Sequence, residues 1–290
     1  MGTILSDNLT SGVHAPLGRP GLAARDAQIL MTWPFFSLSK SPRLQPIEFR
    51  MGSSAIKVEP VDEVGIATIW DADILIWFVS QMVDERNQGR TSSTHIILSS
   101  HQLLRFAQRG TGKASYARLR AALHRLASSR TTIAGILPEP LSYRHSRSFA
   151  WINHWHDQID RQGRSHGMAL EFTQLLLDLA TEPPHVLAID PGYFRLTGGL
   201  ERRLYRLVRK HGGRQPQGWS FELRHLHAKS GSRSPFKQFA FDIRAIARKQ
   251  SLPGYALFLE DGMHPERLRF RPRRPAASLA TTAHPLVDKS

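Results

Sequence analysis

The chain has 290 residues, no cysteine, and 39 Lys and Arg against 24 Asp and Glu, a formal net charge of +15. At ~100–200 residues per domain this length points to two domains; the lack of cysteine excludes a disulfide framework and a thiolate zinc site and fits a cytoplasmic setting, and no apolar run reaches the ~20 residues of a membrane span or the pattern of a secretory signal. The positive excess is mostly arginine, in runs such as 202–209 and 267–274, and guanidinium forks favour nucleic-acid phosphate over an anionic membrane surface.

Residues 1–30 are polar with Gly and Pro and are expected to form a disordered arm. Trp33-Pro-Phe-Phe-Ser-Leu-Ser is an aromatic anchor for a first domain over 31–160, followed by short strands around Ile47–Phe49 and Ile56–Val58. Asp71 is placed to cap a helix that runs to Arg86 and is stopped by Gly89. Thr94–Leu98 is β-branched and reads as a strand. Ser99 or Ser100 caps a helix over 101–108, and Gly110-Thr-Gly112 turns the chain into a second, basic helix. Thr131–Leu137 and Ser146–Trp155 are strand-like and joined by a basic tip. Helix, strand, helix, turn, helix and a two-stranded ribbon are the parts of a winged helix.

Asp160–Gly167 is polar and Gly-bearing, and is the expected linker to a second domain over 161–272. Met168–Phe172 and Val186–Ile189 are strand-like there, and Gly199–His211 is a helix closed by Gly212-Gly213. Phe221–Ala228 is a short helix, Lys229-Ser-Gly-Ser a turn, and Pro235–Lys249 a further basic helix. Tyr255–Glu260 and Arg267–Arg271 form a hairpin wing around Gly262, and 273–290 is a disordered tail. The expected fold class is therefore α+β, two tandem winged-helix domains.

The two basic helices carry the functional argument. Over 109–130 there is no acidic residue. Tyr116, Leu119, Leu123 and Leu126 recur at helical spacing and bury one face; Ala114, Ala117, Arg118, Ala121 and Arg125 occupy the other. Small residues let a backbone approach a major groove, and guanidinium groups reach phosphates or guanine edges. In the second helix Phe236, Phe239, Ala240, Ile243 and Ile246 face the core, and Lys237, Gln238, Phe241, Arg244 and Arg248 lie on or beside the opposite face. The candidate DNA-binding residues are Lys113, Ser115, Arg118, Arg125, Arg144, Arg147, Lys229, Ser232, Arg233, Lys237, Gln238, Arg244 and Arg248, with Arg144, His145 and Arg147 as a wing tip. For each helix alone, an ordinary solvated basic face is the alternative.

Catalytic patterns fall short. Gly110-Thr-Gly112-Lys113 lacks the flanking residues of a phosphate loop, since Ala107 and Ala114 stand where Gly and Ser or Thr are required. His154-Trp155-His156 and His225-Leu226-His227 resemble the metal-binding pair of rolling-circle nickases, with Tyr205 available as a nucleophile. Yet His225 and His227 sit in an expected helix, where residues two apart diverge, and no third ligand gathers near either pair. Asp71 and Asp73 are better placed as helix-start acids, and Trp70, Trp77, Trp151 and Trp155 as core anchors. No catalytic residue, metal ligand or cofactor site is expected.

Ordered blocks along residues 33–271 carry a family resemblance. They are Pro-Phe-Phe-Ser-Leu-Ser-Lys at 34–40, Ala-Thr-Ile-Trp-Asp-Ala-Asp-Ile-Leu-Ile-Trp at 67–77, Arg-Gly-Thr-Gly at 109–112 and Phe-Ala-Trp-Ile-Asn at 149–153. Leu-Thr-Gly-Gly-Leu-Glu-Arg at 196–202, Arg-Lys-His-Gly-Gly-Arg-Gln-Pro at 209–216, His-Leu-His-Ala-Lys-Ser-Gly-Ser at 225–232 and Leu-Pro-Gly-Tyr at 252–255 complete them. The chain resembles the replication initiator protein A family of bacterial plasmids. The resemblance implies a non-enzymatic initiator that binds repeated sites in double-stranded origin DNA and recruits host replication proteins, an initiator and a helicase among them. It also implies two winged-helix domains gripping successive major grooves, and exchange between a monomer and a homodimer. Residues alone equally allow a DNA-binding transcriptional regulator, and, less favourably, a rolling-circle nickase built on His154, His156 and Tyr205.

Overall fold

A computed structural model describes residues 21–61, 63–137, 141, 146–162, 165–182, 185–213, 215–260 and 265–273. The tail from residue 274, the arm up to residue 20, Arg144, His145 and Gly262 lie outside the described residues. The rest of the expected arm is corrected: Arg25–Ala27 form strand β1 and Gln28–Thr32 helix α1, with Ala27, Leu30 and Met31 fully buried. The apolar run Ile29-Leu30-Met31 has too much surface to leave in water.

The β2 (Ile47–Met51) and β3 (Ser54–Glu59) strands form a hairpin turned by Gly52 at φ +58°. Helix α2 (Ala72–Asn87) follows and is stopped by Gly89 at φ +66°, as its sequence predicts. Strand β4 (His95–Leu98), helix α3 (Ser100–Phe106) and helix α4 (Lys113–Ser128) come next, close to their expected bounds. Strands β5 (Arg130–Ala134) and β6 (Arg147–Phe149) pair with each other, but β5 also pairs with β3, giving a four-stranded sheet in the order β2-β3-β5-β6.

The expected single strand Ser146–Trp155 is two strands in different sheets. Trp151 interrupts it, 1% exposed and packed edge-on against Phe35 and Phe149. Beyond it β7 (Ile152–Ile159) pairs with β8 (Ser165–Phe172), and β8 with β4. The expected linker Asp160–Gly167 is thus the turn region and start of a hairpin, and helix α5 (Gln174–Thr181) buries Leu175, Leu176 and Leu179 in the first core. A division at residue 160 would cut through one sheet, so that boundary is also corrected.

Strand β9 (Val186–Ala188) returns to pair with β1. A 3-10 turn (Pro191–Arg195) leads to helix α6 (Gly199–Gly212). Gly213 caps α6 at φ −66°, so the chain leaves without the left-handed glycine expected there. Strand β10 (Trp219–Glu222), helix α7 (Leu223–Ser230), helix α8 (Phe236–Lys249) and strands β11 (Tyr255–Glu260) and β12 (Arg267–Pro272) complete the chain. The sheet order is β10-β12-β11. Phe221, expected in a helix, belongs to β10, where it faces Leu268 across β12.

Two cores result, and they share walls. Helix α2 is buried along most of its length; Trp77, Phe78 and Val79 face the first core and Ile76 the second, as expected of a helix apolar all round. Helix α6 is buried too, although four of its first eleven residues are arginines. Arg202 donates to the carbonyls of Phe194 (3.0 Å) and Leu196 (2.8 Å) and to Asp73 Oδ1 (2.8 Å) on α2. Asp73 Oδ2 takes a second guanidinium, that of Arg109, at 2.7 Å. Arg206 meets Asp26 of β1 at 2.7 Å, both fully buried; burial pushes the Asp26 carboxyl up, and the Arg206 charge opposes that. Arg203 donates to the Met31 and Thr32 carbonyls at the end of α1 (2.7 and 2.9 Å) and to that of Lys229 on α7 (2.6 Å), satisfying helix-end acceptors that would otherwise be orphaned. At Gly199 a Cβ would overlap the Leu38 carbonyl, so only glycine lets α6 start this close to the first unit.

Asp73→Ala is expected to leave Arg202 buried without a carboxylate and to cost about 3–5 kcal/mol, read as a lower urea midpoint. The apolar double exchange Asp73→Leu with Arg202→Met should recover much of that loss. An unchanged midpoint in Asp73→Ala would contradict this role.

Candidate nucleic-acid interface

Helix α4 follows Gly112 and buries Leu119, Leu123 and Leu126, with Tyr116 half-buried at the edge of the core. Lys113, Ala114, Ala117 and Arg118 are exposed. Two expected contacts are placed otherwise. Ser115 is 8% exposed, and its hydroxyl accepts from Arg118 at 3.3 Å. Arg125 grips Asp71 in a two-point pair, Nε to Oδ2 at 2.7 Å and the second nitrogen to Oδ1 at 2.9 Å. That hydrogen bonding holds the Arg125 guanidinium above its ordinary pKa. Asp71 also accepts from the Thr68 amide rather than capping α2. Arg125 is therefore a joint between α4 and α2. Arg147 is half-buried on β6.

Helix α8 presents a different face. Lys237, Phe241, Arg244 and Arg248 fall at i, i+4, i+7 and i+11 and form one stripe. Lys237 and Arg248 are exposed, and Phe241 is 56% exposed between them. Arg244 is drawn toward the start of β12 by Glu266, Nε to Oε1 at 2.9 Å and the second nitrogen to Oε2 at 2.5 Å. Gln238 donates to Asp242 at 2.8 Å. The turn before α8 is built by Ser230, Ser232 and Ser234: the Ser232 amide donates to Ser230 Oγ, and Ser232 Oγ accepts from the Ser234 amide. Gly231 stands at φ +71° in that turn, and Arg233 is exposed beside it. Phe258 on β11, 40% exposed under Arg271 at 5.1 Å, extends the aromatic and cationic surface of this unit. Phe258 lay outside the sequence expectations because Tyr255–Leu259 is a continuous apolar run, in which no alternation marks the solvent face.

Lys229 is not a surface contact. It is 7% exposed and its Nζ lies 5.6 Å from the Trp33 ring centroid. His227 is structural as well, bonded to the Ser234 carbonyl at 2.9 Å and packed on Phe239.

The nickase constellation does not assemble. His154 and His156 do share the exposed face of β7, ring centroids 5.5 Å apart. Tyr205 is 1% exposed on α6, and its hydroxyl accepts from the Asp190 amide at 2.8 Å. Burial pushes that phenol well above its ordinary pKa, the opposite of what a nucleophile needs. No group of three His, Asp or Glu able to hold a metal occurs among the described residues. Nor is any helix among them long and apolar enough to cross a membrane.

His211, near the end of α6, sits edge-on to Phe221 at 5.0 Å, and its Nε2 is buried without a hydrogen bond among the described residues. Burial, then the nearby Lys229 and Lys210 charges, push its pKa down to about 4. A histidine neutral in the fold but basic when unfolded stabilises above its ordinary pKa of ~6.5 and loses that contribution as pH falls toward its folded value. The stability of the protein should therefore fall between pH 6.5 and 4 more steeply than that of His211→Gln, measured by urea unfolding at each pH. Parallel curves for the two proteins would contradict the assignment.

Residues 25–257 match the family described as Replication initiator protein A. A curated protein of Wigglesworthia glossinidia brevipalpis, described as "Putative replication protein", is 30% identical over 234 residues, covering 80% of this chain and 83% of that one. The crystal structure of domains 2 and 3 of RctB, as a selenomethionine derivative, superposes with a TM-score of 0.59 at 14% identity, covering 82% of this chain and 94% of that one. A second structure of RctB domains 2-3 gives 0.53, again at 14% identity, covering 84% and 95%. At that identity the likeness is one of fold. Taken with the buried Asp73 and Arg202 and the half-buried Arg109, which join three of its sequence blocks in one ion cluster, the match over most of its length shows that this chain belongs to the replication initiator protein A family.

Proposed function

We propose that this replication initiator binds double-stranded origin DNA through two winged-helix units, with α4 and α8 as the helices that enter successive major grooves. The observation that carries the reading is the stripe on α8. Lys237 and Arg248 stand free of ion pairs among the described residues, and an exposed aromatic lies between them. Lysine and arginine supply phosphate contacts, and a phenylalanine supplies apolar contact to a thymine methyl. The order α6-β10-α7-α8-β11-β12 with its three-stranded sheet supports a helix backed by a wing. On α4 the contact set contracts to Lys113 and Arg118, because Arg125 is committed to Asp71. Ser115 and Lys229 leave the set of groove-facing contacts because they are buried.

The protein is further proposed to act by binding and recruitment of host replication proteins, without phosphodiester chemistry of its own. What supports this is the burial of Tyr205. Unstacking at the origin then draws on backbone contacts and on those host proteins, bending at an elastic cost of ~1–6 kcal/mol per site.

If Lys237 and Arg248 each neutralise a phosphate, replacing either by Ala should weaken duplex binding for all sequences and lower the slope of log K against log salt by ~0.9. Arg125→Ala should instead lower the unfolding midpoint and leave the salt slope of the folded protein unchanged. Slopes unaltered in Lys237→Ala and Arg248→Ala would sink the assignment to α8. Supercoiled origin plasmid incubated with the protein and magnesium or manganese should remain unnicked and free of covalently attached protein; a nick lost in Tyr205→Phe would overturn the non-enzymatic reading.

A further inference from the structure

A cleft between the end of α6, α7, β10 and the start of β12 holds charge that the DNA-reading helices do not use. It has a volume of about 350 Å³, and its lining includes His211, Trp219, Glu222, His225, Lys229 and Arg267. Lys229 is 7% exposed, and no carboxylate pairs with it among the described residues. Its charged neighbours are cations, Arg203 and Lys210. Arg267 is held at the rim by Ser220 Oγ at 3.1 Å and by Glu260 at 3.7 Å. The His211 Nε2 in the wall is buried and lacks a hydrogen bond among the described residues. Trp219 is 46% exposed.

A buried ammonium is ordinarily paired. Here no carboxylate partner occurs among the described residues, the Trp33 ring at 5.6 Å being the neighbour its Nζ has, and a second polar atom beside it, His211 Nε2, is unsatisfied as well. Burial and mutual repulsion lower the pKa of Lys229, His225 and His211 together, the response of a site with more positive charge than acceptors. Glu222 is the one carboxylate in the lining, and it opposes an incoming anion.

We propose that this cleft is a phosphate-binding site, in which Lys229 and Arg267 hold the phosphate oxygens, His211 supplies a further hydrogen bond, and Trp219 offers a face for a base attached to that phosphate. The phosphate belongs either to a free nucleotide or to the backbone of bound DNA; the chemistry is shared. The site stands independently of the α8 reading, because its occupancy is measured without origin DNA.

The test follows the His211 imidazole by NMR at pH 5.5 while inorganic phosphate is titrated into the full-length protein. A saturable shift toward the protonated form is expected in the millimolar range, since a bound anion raises the histidine pKa. Loss of a charge-assisted hydrogen bond in Lys229→Met should weaken binding by roughly tenfold or more. Glu222→Gln, a rim exchange that leaves the cores intact, should tighten it, and Arg267→Gln should weaken it. Adenosine 5′-monophosphate that binds tighter than phosphate and stays bound at saturating duplex identifies a nucleotide site. Displacement of phosphate by duplex identifies a backbone contact. A His211 signal unmoved by phosphate overturns the proposal, as does equal affinity in Glu222→Gln, Arg267→Gln and the unaltered protein.

Discussion

The Asp73 carboxylate on α2, held between Arg202 of α6 and Arg109, is the constraint on which the rest of the molecule depends. It lies where the two cores share a wall, and each of its oxygens takes a separate guanidinium. Arg203, the residue after Arg202, grips the end of α1, and Arg206, one helical turn further along α6, pairs with Asp26. Such pairs are poor sources of net stability, because desolvation offsets most of the attraction. What they impose is geometry: a guanidinium fork with several fixed acceptors admits one position of α6 against α2, where greasy surfaces alone would admit several. The contact at Gly199, with backbone against backbone, narrows that choice further.

The same network changes what the net charge means. A large part of the arginine excess points inward or is spent on neighbours: Arg109, Arg125, Arg202, Arg203 and Arg206 hold elements together, and Arg244 is drawn to Glu266. The cations left on the candidate DNA face are fewer than composition suggests, and they are concentrated on Lys237 and Arg248 of α8 and Lys113 and Arg118 of α4. A rigid joint between the two units would then keep the spacing of the two helices fixed, which is what allows one protein to select sites by the phase of the double helix.

Much of the fold was legible in the sequence where local physics decides it. Short strands expected around Ile47–Phe49 and Ile56–Val58 are β2 and β3, the leucine stripe marked α4, and the phenylalanine and isoleucine stripe marked α8. Gly89 stopped α2 where expected. What failed was decided by partners far away in the chain. Trp151 reads as one more strand residue, and only its packing against Phe35 and Phe149 shows that the strand must break there. Asp160–Gly167 has the composition of a linker, but hairpin turns share that composition, and the pairing of β7 with β8 is invisible in either strand alone. The site suffered in the same way. Arg118 and Arg125 stand two turns apart on the same helical face with equal claims on DNA; Asp71, 54 positions away from Arg125, takes one and leaves the other. Lys229 looked exposed in a serine and glycine turn, and Trp33 covers it from the opposite end of the chain.

The central claim is that α4 and α8, locked at a fixed separation by the Asp73 cluster, grip one DNA site together. Hydroxyl-radical footprinting on origin DNA tests it most directly, with the native site compared against one carrying an insertion of about half a helical turn (~5 bp) between the two contacted segments. The account predicts two protected patches about one turn apart on the native site and loss of one patch, with weakened binding, on the insertion. Two patches that simply move apart with undiminished affinity, or a single patch on the native site, would contradict it.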